Sequence, residues 1–404
     1  MQNALIYSPS LDGHRQLYVF VLNNVLHELN FSVFVAFNFD QKINNSFYID
    51  KIKQQSDVCF IDTGIYNEGG LGISLPDFLD LQFKYNIHLT IFAEADHHLS
   101  LLISQISINN KRLKGKLAGI FLRPFYYYRP LGLSGWLRYI KHLPTEWRTD
   151  ARLFHGLLQV RFPLLHKALY LDEKFVAKHK RAVWLPDVFQ QFADRITREE
   201  NLEQRAWIDR LKLFKDANEG RFLFLYFGTA QYRRGYDTLL QIAEELNGCF
   251  IHCGLRNKNE HFDLAVDTIR ESLRKRGQLF ETDQFIEDPA CIEAFFTSVS
   301  HMILPYRDFL GSSGVMLQAL SYGIPVLAPR AGIIGYRINK YGLGYTYDEK
   351  ESGSLVAQCK SFIKLNPADF KFSIQHYMGF QNADNLRASL LQVFSDSPGL
   401  VRFP

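Results

Sequence analysis

The chain alternates short, almost wholly apolar runs with longer stretches whose apolar residues recur every three or four positions. Residues 4–7 read as a buried strand. Residues 13–29 follow with Leu17, Phe20, Val21, Val25 and Leu26 on one helical face. Apolar runs at 31–37, 57–62, 87–93 and 116–122 predict four more strands, and shorter ones at 169–172 and 182–185 predict two further. Strands that are apolar throughout, separated by helices, predict a parallel sheet covered on both faces. A charge-dense helical stretch at 194–215 then interrupts the series. A second series follows, with strands at 222–227, 248–253, 279–282, 302–304, 325–328 and 344–347. Helical spacing at 373–394 predicts a terminal surface helix. The simplest account is α/β, with two Rossmann-like domains at 1–186 and 187–372 and a segment, 373–404, returning toward the first.

Composition agrees with a globular chain. The 404 residues suit two or three domains at about 150 residues each. Hydrophobic residues make up 47% and charged residues 22%, which excludes disorder, a collagen-like repeat or a coiled coil as the main organisation. The net charge of +4 is too small on its own to imply nucleic acid, and it does not discourage an anionic ligand or membrane. Cys59, Cys249, Cys253, Cys291 and Cys359 are odd in number and form no C-x-x-C pair, which predicts a reduced, cytoplasmic setting. No cations precede the first apolar run, which breaks at Ser8-Pro9-Ser10, so no signal peptide is expected. No run approaches the roughly 18 apolar residues of a membrane span.

Two loops of the second series carry candidate chemistry, because ligands of parallel sheets bind beyond the carboxyl ends of the strands. The first is Gly228-Thr229-Ala230-Gln231-Tyr232-Arg233-Arg234-Gly235, between a strand and a helix. Cations beside a helix N-terminus oppose its dipole unless an anion joins them, so Arg233 and Arg234 point to a phosphate or diphosphate. The second is Arg307-Asp308-Phe309-Leu310-Gly311-Ser312-Ser313-Gly314, before a helix at 315–322. Its glycines free backbone N–H groups, and Ser312 and Ser313 add hydroxyls; the same letters also describe a tight turn capped by a serine.

These loops carry a resemblance. Phe227-Gly228 … Arg234-Gly235-Tyr236-Asp237 … Leu239-Leu240 resembles the G-R-L … K-G-x-D-x-L-L segment of GT-B glycosyltransferases. The likeness is greatest to the large retaining family typified by glycogen and mannosyl transferases (glycosyltransferase family 4-like). Residues 313–326 are similar to its G-x-x-x-x-E-A-x-A-x-G-x-P-V segment. The resemblance covers most of 221–348 and implies GT-B architecture, two Rossmann-like domains facing across a cleft. It implies transfer of a sugar from a UDP- or GDP-linked donor bound by the second domain, with no cofactor and no metal. Arg234 takes the place of the diphosphate-binding lysine, and Gly314 and Val315 would offer backbone N–H groups. Gln318 stands for the glutamate that binds the ribose, and Ile286 would hold the base through its main chain. Thr229 stands where the family has an arginine, with Arg233 as its substitute. Leu310 stands at the family's first glutamate, which touches the donor sugar. The chain contains no D-x-D triplet.

The first domain is expected to take the acceptor, a glycan or lipid-linked glycan. Asp12, Gly13, His14 and Arg15 follow its first strand, and Asp96, His97 and His98 its fourth. Histidine suits proton transfer near neutral pH, so His14, Asp96, His97 and His98 are the candidate catalytic residues, with Asp12, Gly13 and Arg15 on the acceptor. A capping Asp96 with incidental histidines explains the same letters. Residues 123–167 interleave eight cations with Tyr126, Tyr127, Tyr128, Trp136, Tyr139 and Trp147. That pattern suits peripheral contact with the anionic inner face of a membrane, or an aromatic core under a basic surface; nucleic acid is not expected. Three functions stay open: transfer, nucleotide-sugar epimerisation, and silent nucleotide-sugar binding.

Overall fold

A computed structural model describes residues 2–8, 14–38, 51–54, 58–64, 75–95, 115–122, 167–177, 182–187, 202–257, 260, 262–286, 288–349 and 353–394. Chain contacts divide the protein into two units: Met1–Ala193 with Phe380–Pro404, and Asp194–Gly379.

The first unit is built on β1 (Gln2–Tyr7), β2 (Phe31–Phe37), β3 (Val58–Asp62), β4 (Ile87–Phe92), β5 (Lys116–Phe121), β6 (Lys167–Tyr170) and β7 (Ala182–Trp184). They form one parallel sheet in the order β3-β2-β1-β4-β5-β6-β7. Ala4 to Tyr7 of β1 are at most 1% exposed, so both faces of the central strand are covered. That is why the run is apolar throughout rather than alternating. The order reverses between β1 and β4. Connections leave that point in opposite directions, and the crevice between them is where ligands of such sheets bind. Helix α1 (His14–Glu28) starts from it; α2 (Leu75–Lys84) and the single turn α3 (Glu173–Val176) are further helices of this segment. Asp172 caps α3 by accepting from the Phe175 N–H at 3.1 Å.

The second unit repeats the plan. Its strands are β8 (Leu223–Phe227), β9 (Cys249–Cys253), β10 (Leu279–Glu281), β11 (Met302–Ile303), β12 (Val326–Pro329) and β13 (Gly344–Tyr347). Two parallel ladders, β10-β9-β8 and β11-β12-β13, meet where β8 lies beside β11. The run is therefore 10-9-8-11-12-13, with its reversal between β8 and β11. Phe224, Phe250, Ile303 and Leu327 from both ladders share one core cluster. The helices are α4 (Leu202–Ala217), α5 (Tyr236–Glu245), α6 (Leu264–Lys275), α7 (Pro289–Thr297), α8 (Gly314–Ser321), α9 (Gly332–Tyr341), α10 (Ser354–Phe362) and α11 (Lys371–Met378).

The expected single helix at 373–394 is two helices. Helix α11 ends before Gly379, and α12 (Ala383–Phe394) restarts after Asn382, whose side chain accepts the Asn385 N–H at 2.8 Å. A side-chain cap of this kind starts a new helix rather than continuing the old one. Helix α12 packs by β5 and β7 of the first unit. There the Asp187 N–H donates to Gln381 at 2.8 Å and the Asp187 carboxylate accepts from Tyr18 at 2.8 Å, tying the end of the sheet to the returning segment. Among the described residues no helix is long and apolar enough to cross a membrane. Residues 123–166, nearly all of the basic aromatic segment, lie outside the described residues.

Candidate functional site

Strand β8 ends at Phe227, and Gly228 turns the chain with φ +107, a region that side chains disfavour. The loop is fastened from beneath. Tyr226 donates to the Thr229 carbonyl at 3.0 Å and accepts from the Gln231 N–H at 3.1 Å. The ring of His252 places Nε2 3.2 Å from the Gly228 carbonyl. A 3-10 turn, Tyr232–Arg234, then delivers the chain to Gly235 and α5. The Arg234 guanidinium lies over Gly228, where a Cβ would sit 2.7 Å from its Nη1. Glycine thus serves both the turn and the approach of the cation. Among the described residues neither Arg233 nor Arg234 makes a hydrogen bond or ion pair through its guanidinium. Partial desolvation, and then the charge of Arg234, hold the Arg233 pKa below its ordinary value. A guanidinium does not surrender its proton in a protein, so the shift records an unfavourable environment for charge. An anion would relieve it.

His252 makes this loop sensitive to acid. It is 1% exposed, edge-on to Tyr226 and Tyr236, and burial pushes its pKa below the ordinary 6.5. His301, 2% exposed, is shifted the same way by the same cause. A depressed folded-state pKa means that below 6.5 the unfolded chain takes up a proton that the folded chain refuses. The stability they contribute is complete above 6.5 and is lost as pH falls toward their folded values. The ceiling on each contribution is about 1.4 kcal/mol per pH unit, the slope for one whole proton. Urea unfolding between pH 5 and pH 8 should show the loss, and His252→Gln, which keeps a donor for Gly228, should reduce the slope. An unchanged slope would assign the acid sensitivity elsewhere.

The loop after β11 meets the first loop closely. A Cβ on Gly235 would lie 2.1 Å from the Pro305 carbonyl oxygen. Arg307 reaches across, with Nη1 and Nη2 each 2.7 Å from one carboxylate oxygen of Asp237. Its Nη1 also donates to the Tyr232 carbonyl at 2.9 Å, and its backbone N–H to the Arg233 carbonyl at 2.9 Å. The guanidinium carbon sits 3.9 Å from the Tyr232 ring centroid.

The serines beyond it serve the fold. Ser313 caps α8 by accepting from the Met316 N–H at 3.2 Å, and its hydroxyl pairs with that of Tyr306 at 2.9 Å. Ser312 accepts from the fully buried Arg337 at 2.8 Å. The first two helical N–H groups, of Gly314 and Val315, have no partner among the described residues. A Cβ at Gly314 would meet nothing within 4 Å, so nothing packs against that side of the residue. Arg234, Tyr306 and Val315 line one small cavity. Gln318, one turn further along α8, is 6% exposed. Leu310 is 4% exposed, with its carbonyl accepting from the Ile333 N–H at 3.1 Å.

A third loop on the same rim follows β10. Gln204 of α4 donates to the Phe285 carbonyl at 3.1 Å and accepts from the Asp288 N–H at 2.9 Å. Between these anchors the main chain of Ile286 has no hydrogen bond among the described residues, and its side chain is 4% exposed. Neither Gln204 nor the Arg307–Asp237 pair carries a signal in the sequence, because each joins residues some 70 to 84 positions apart.

No protein-family model matches the sequence, and no curated protein matches it. Solved structures do match over nearly the whole length. Anabaena HepE in complex with UDP aligns with a TM-score of 0.65 at 11% identity, covering 98% of this chain and 100% of that one. Sucrose-phosphate synthase from Thermosynechococcus elongatus gives 0.62 at 12%, covering 97% and 98%. A glycosyltransferase from Rickettsia africae gives 0.62 at 10%, covering 98% and 100%.

The fold is GT-B. In its second unit, Gly228, Thr229, Arg233, Arg234, Ser312, Ser313, Gly314, Val315 and Gln318 all belong to the two loops at the β8/β11 reversal or to the helix that follows, and Ile286 to the loop after β10. In its first unit, His14 is the first residue of α1, beside the β1/β4 reversal, and Arg15 follows it. Asp12, Gly13, Asp96, His97 and His98 lie outside the described residues. Among the described residues no group of three or more His, Cys, Asp or Glu side chains could hold a metal ion.

Proposed function

We propose that the chain is a glycosyltransferase that moves a sugar from a UDP- or GDP-linked donor to a glycan or lipid-linked glycan, without a metal ion. The observation that carries this reading is the pair of cations, Arg233 and Arg234, that among the described residues make no guanidinium hydrogen bond or ion pair, Arg233 lying only over the Phe309 ring at 6.0 Å, on the loop that adjoins the two free N–H groups of α8. A nucleoside diphosphate matches that donor set. As the bond from the anomeric carbon to the β-phosphate oxygen breaks, negative charge grows on the diphosphate, and the guanidiniums and amides offset it. The free main chain of Ile286 would receive the base and Gln318 the ribose. HepE, a protein of the same fold, has been solved in complex with UDP.

The segment 1–186 would take the acceptor and 187–372 the donor. Asp12, Gly13 and Arg15 would position the acceptor. The new glycosidic bond requires removal of the acceptor hydroxyl's proton, to a group among His14, Asp96, His97 and His98 or to the departing phosphate. The basic, aromatic segment 123–167 would hold the enzyme against an anionic inner membrane face.

One observation favours a second reading, a silent nucleotide-sugar binder. Leu310 is buried and apolar where the resemblance places an acid against the donor sugar. Incubation with a panel of nucleotide-sugars, with and without acceptors, separates the readings. Transfer predicts nucleotide release that depends on the acceptor. Epimer formation without release would mean an epimerase of the same fold, and binding with neither would mean the silent protein.

A further inference from the structure

We infer that Arg307 is a positioning residue for diphosphate recognition, holding Arg233 and Arg234 in place through the turn that carries them, without itself touching the ligand. This rests on the nucleoside-diphosphate reading above.

Three guanidiniums crowd the β8/β11 reversal, and they are not equivalent. Both Nη groups of Arg307 are engaged by the two oxygens of Asp237, which is 8% exposed and sits in the first turn of α5. That fork-to-fork pairing neutralises the Arg307 charge and fixes the plane of its guanidinium. Arg233 and Arg234 keep theirs. The loop thus offers two open cations, the complement of a diphosphate.

The turn bearing those cations is weak by itself. It is a three-residue 3-10 turn, and Gln231 at its start gives it no side-chain cap. Such short turns have poor internal hydrogen-bond geometry. Glu260 accepts the Tyr232 N–H at 2.8 Å, and Arg307 holds the carbonyls of the turn. Its Nη1 takes the Tyr232 carbonyl, its N–H takes the Arg233 carbonyl, and its guanidinium stacks on the Tyr232 ring. The two peptide groups preceding the two free arginines are therefore both held by one residue. That residue belongs to the loop leading to α8, whose free amides complete the donor set. Arg233 and Arg234 repel one another, so a loosened turn would let them splay into solvent. Lysine cannot replace Arg307, because a point charge cannot grip two carboxylate oxygens and a carbonyl in one plane.

The test is calorimetric titration of wild type and Arg307→Lys with UDP and UMP, and with GDP and GMP, alongside thermal unfolding. Wild type should prefer the diphosphate. In Arg307→Lys that preference should fall by about tenfold or more, while monophosphate affinity stays within about threefold, because base and ribose contacts lie on other segments. Equal loss of both affinities, or an unchanged preference, would overturn the positioning role. Absence of any diphosphate preference in wild type would overturn the nucleotide reading first and the role of Arg307 with it. Should Arg307→Lys not fold, Asp237→Glu takes its place, since it keeps the ion pair but moves the carboxylate by one methylene. Its diphosphate preference should fall in the same way, and an unchanged preference there would equally overturn the positioning role.

Discussion

Replacing Arg234 with alanine should weaken nucleoside-diphosphate binding roughly ten- to a hundredfold while leaving the ligand-free protein as stable as before, or more so. The first half follows from the value of a charge-assisted hydrogen bond, about 1.5–3 kcal/mol, at about 1.4 kcal/mol per tenfold in affinity. The second half follows from what Arg234 does when nothing is bound. Its guanidinium lies over Gly228 with no hydrogen-bond or ion-pair partner among the described residues, and its charge is one of the causes that lower the Arg233 pKa. Removing it deletes a repulsion and breaks no hydrogen bond or ion pair. A residue kept for the fold would show the opposite signature, a lower melting midpoint and unchanged affinity. Calorimetry with UDP and GDP, read beside melting curves with and without ligand, tests both halves. Unchanged affinity would make Arg234 a surface cation and remove the diphosphate from the reading.

Much of the fold was legible because its strands are buried on both faces. Ala4 to Tyr7 of β1 appear in the sequence as an unbroken apolar run for that reason, β9 as one interrupted only by His252, and even the two-residue β11 stands out between Pro305 and the polar residues before it. The break between α11 and α12 was not legible. Ile374 and Tyr377 keep helical spacing on one side of it and Leu386 and Leu390 on the other, and the interruption itself depends on a side-chain cap by Asn382. The site divides in the same way. Arg233 and Arg234 could be found by type and place, since cations on a strand-to-helix loop need an anion. Ser312 and Ser313 could not be assigned, because a phosphate cradle and a capped turn use the same letters. Their hydroxyls turn out to be engaged by Arg337, Tyr306 and the Met316 N–H. Arg307 was invisible in its role because Asp237 lies 70 residues away.

The contact between the two loops can be measured on its own, because the protein contains a matched control. Gly235 and Gly277 both have φ +69, in the left-handed region. Alanine at either position costs about 1–2 kcal/mol in backbone conformation. Beyond that the sites differ. A Cβ at Gly277 would meet nothing within 4 Å, whereas at Gly235 it would lie 2.1 Å from the Pro305 carbonyl oxygen and 2.7 Å from its ring. A backbone atom cannot swing aside, so the loops after β8 and β11 must part, at a further cost of about 1–3 kcal/mol. Gly235→Ala should therefore destabilise the protein by about 2–5 kcal/mol, lowering its melting midpoint by on the order of 10 °C, and Gly277→Ala by only the backbone share, about 1–2 kcal/mol. The separation should also reach function. Parting the loops moves the Arg233–Arg234 turn away from Val315 and breaks the reach of Arg307, so Gly235→Ala should lose diphosphate binding at temperatures where it is still folded. Gly277→Ala, at the far end of α6, should keep it. Equal destabilisation by the two substitutions, or full UDP affinity in folded Gly235→Ala, would show that the close approach of these loops is incidental to the site.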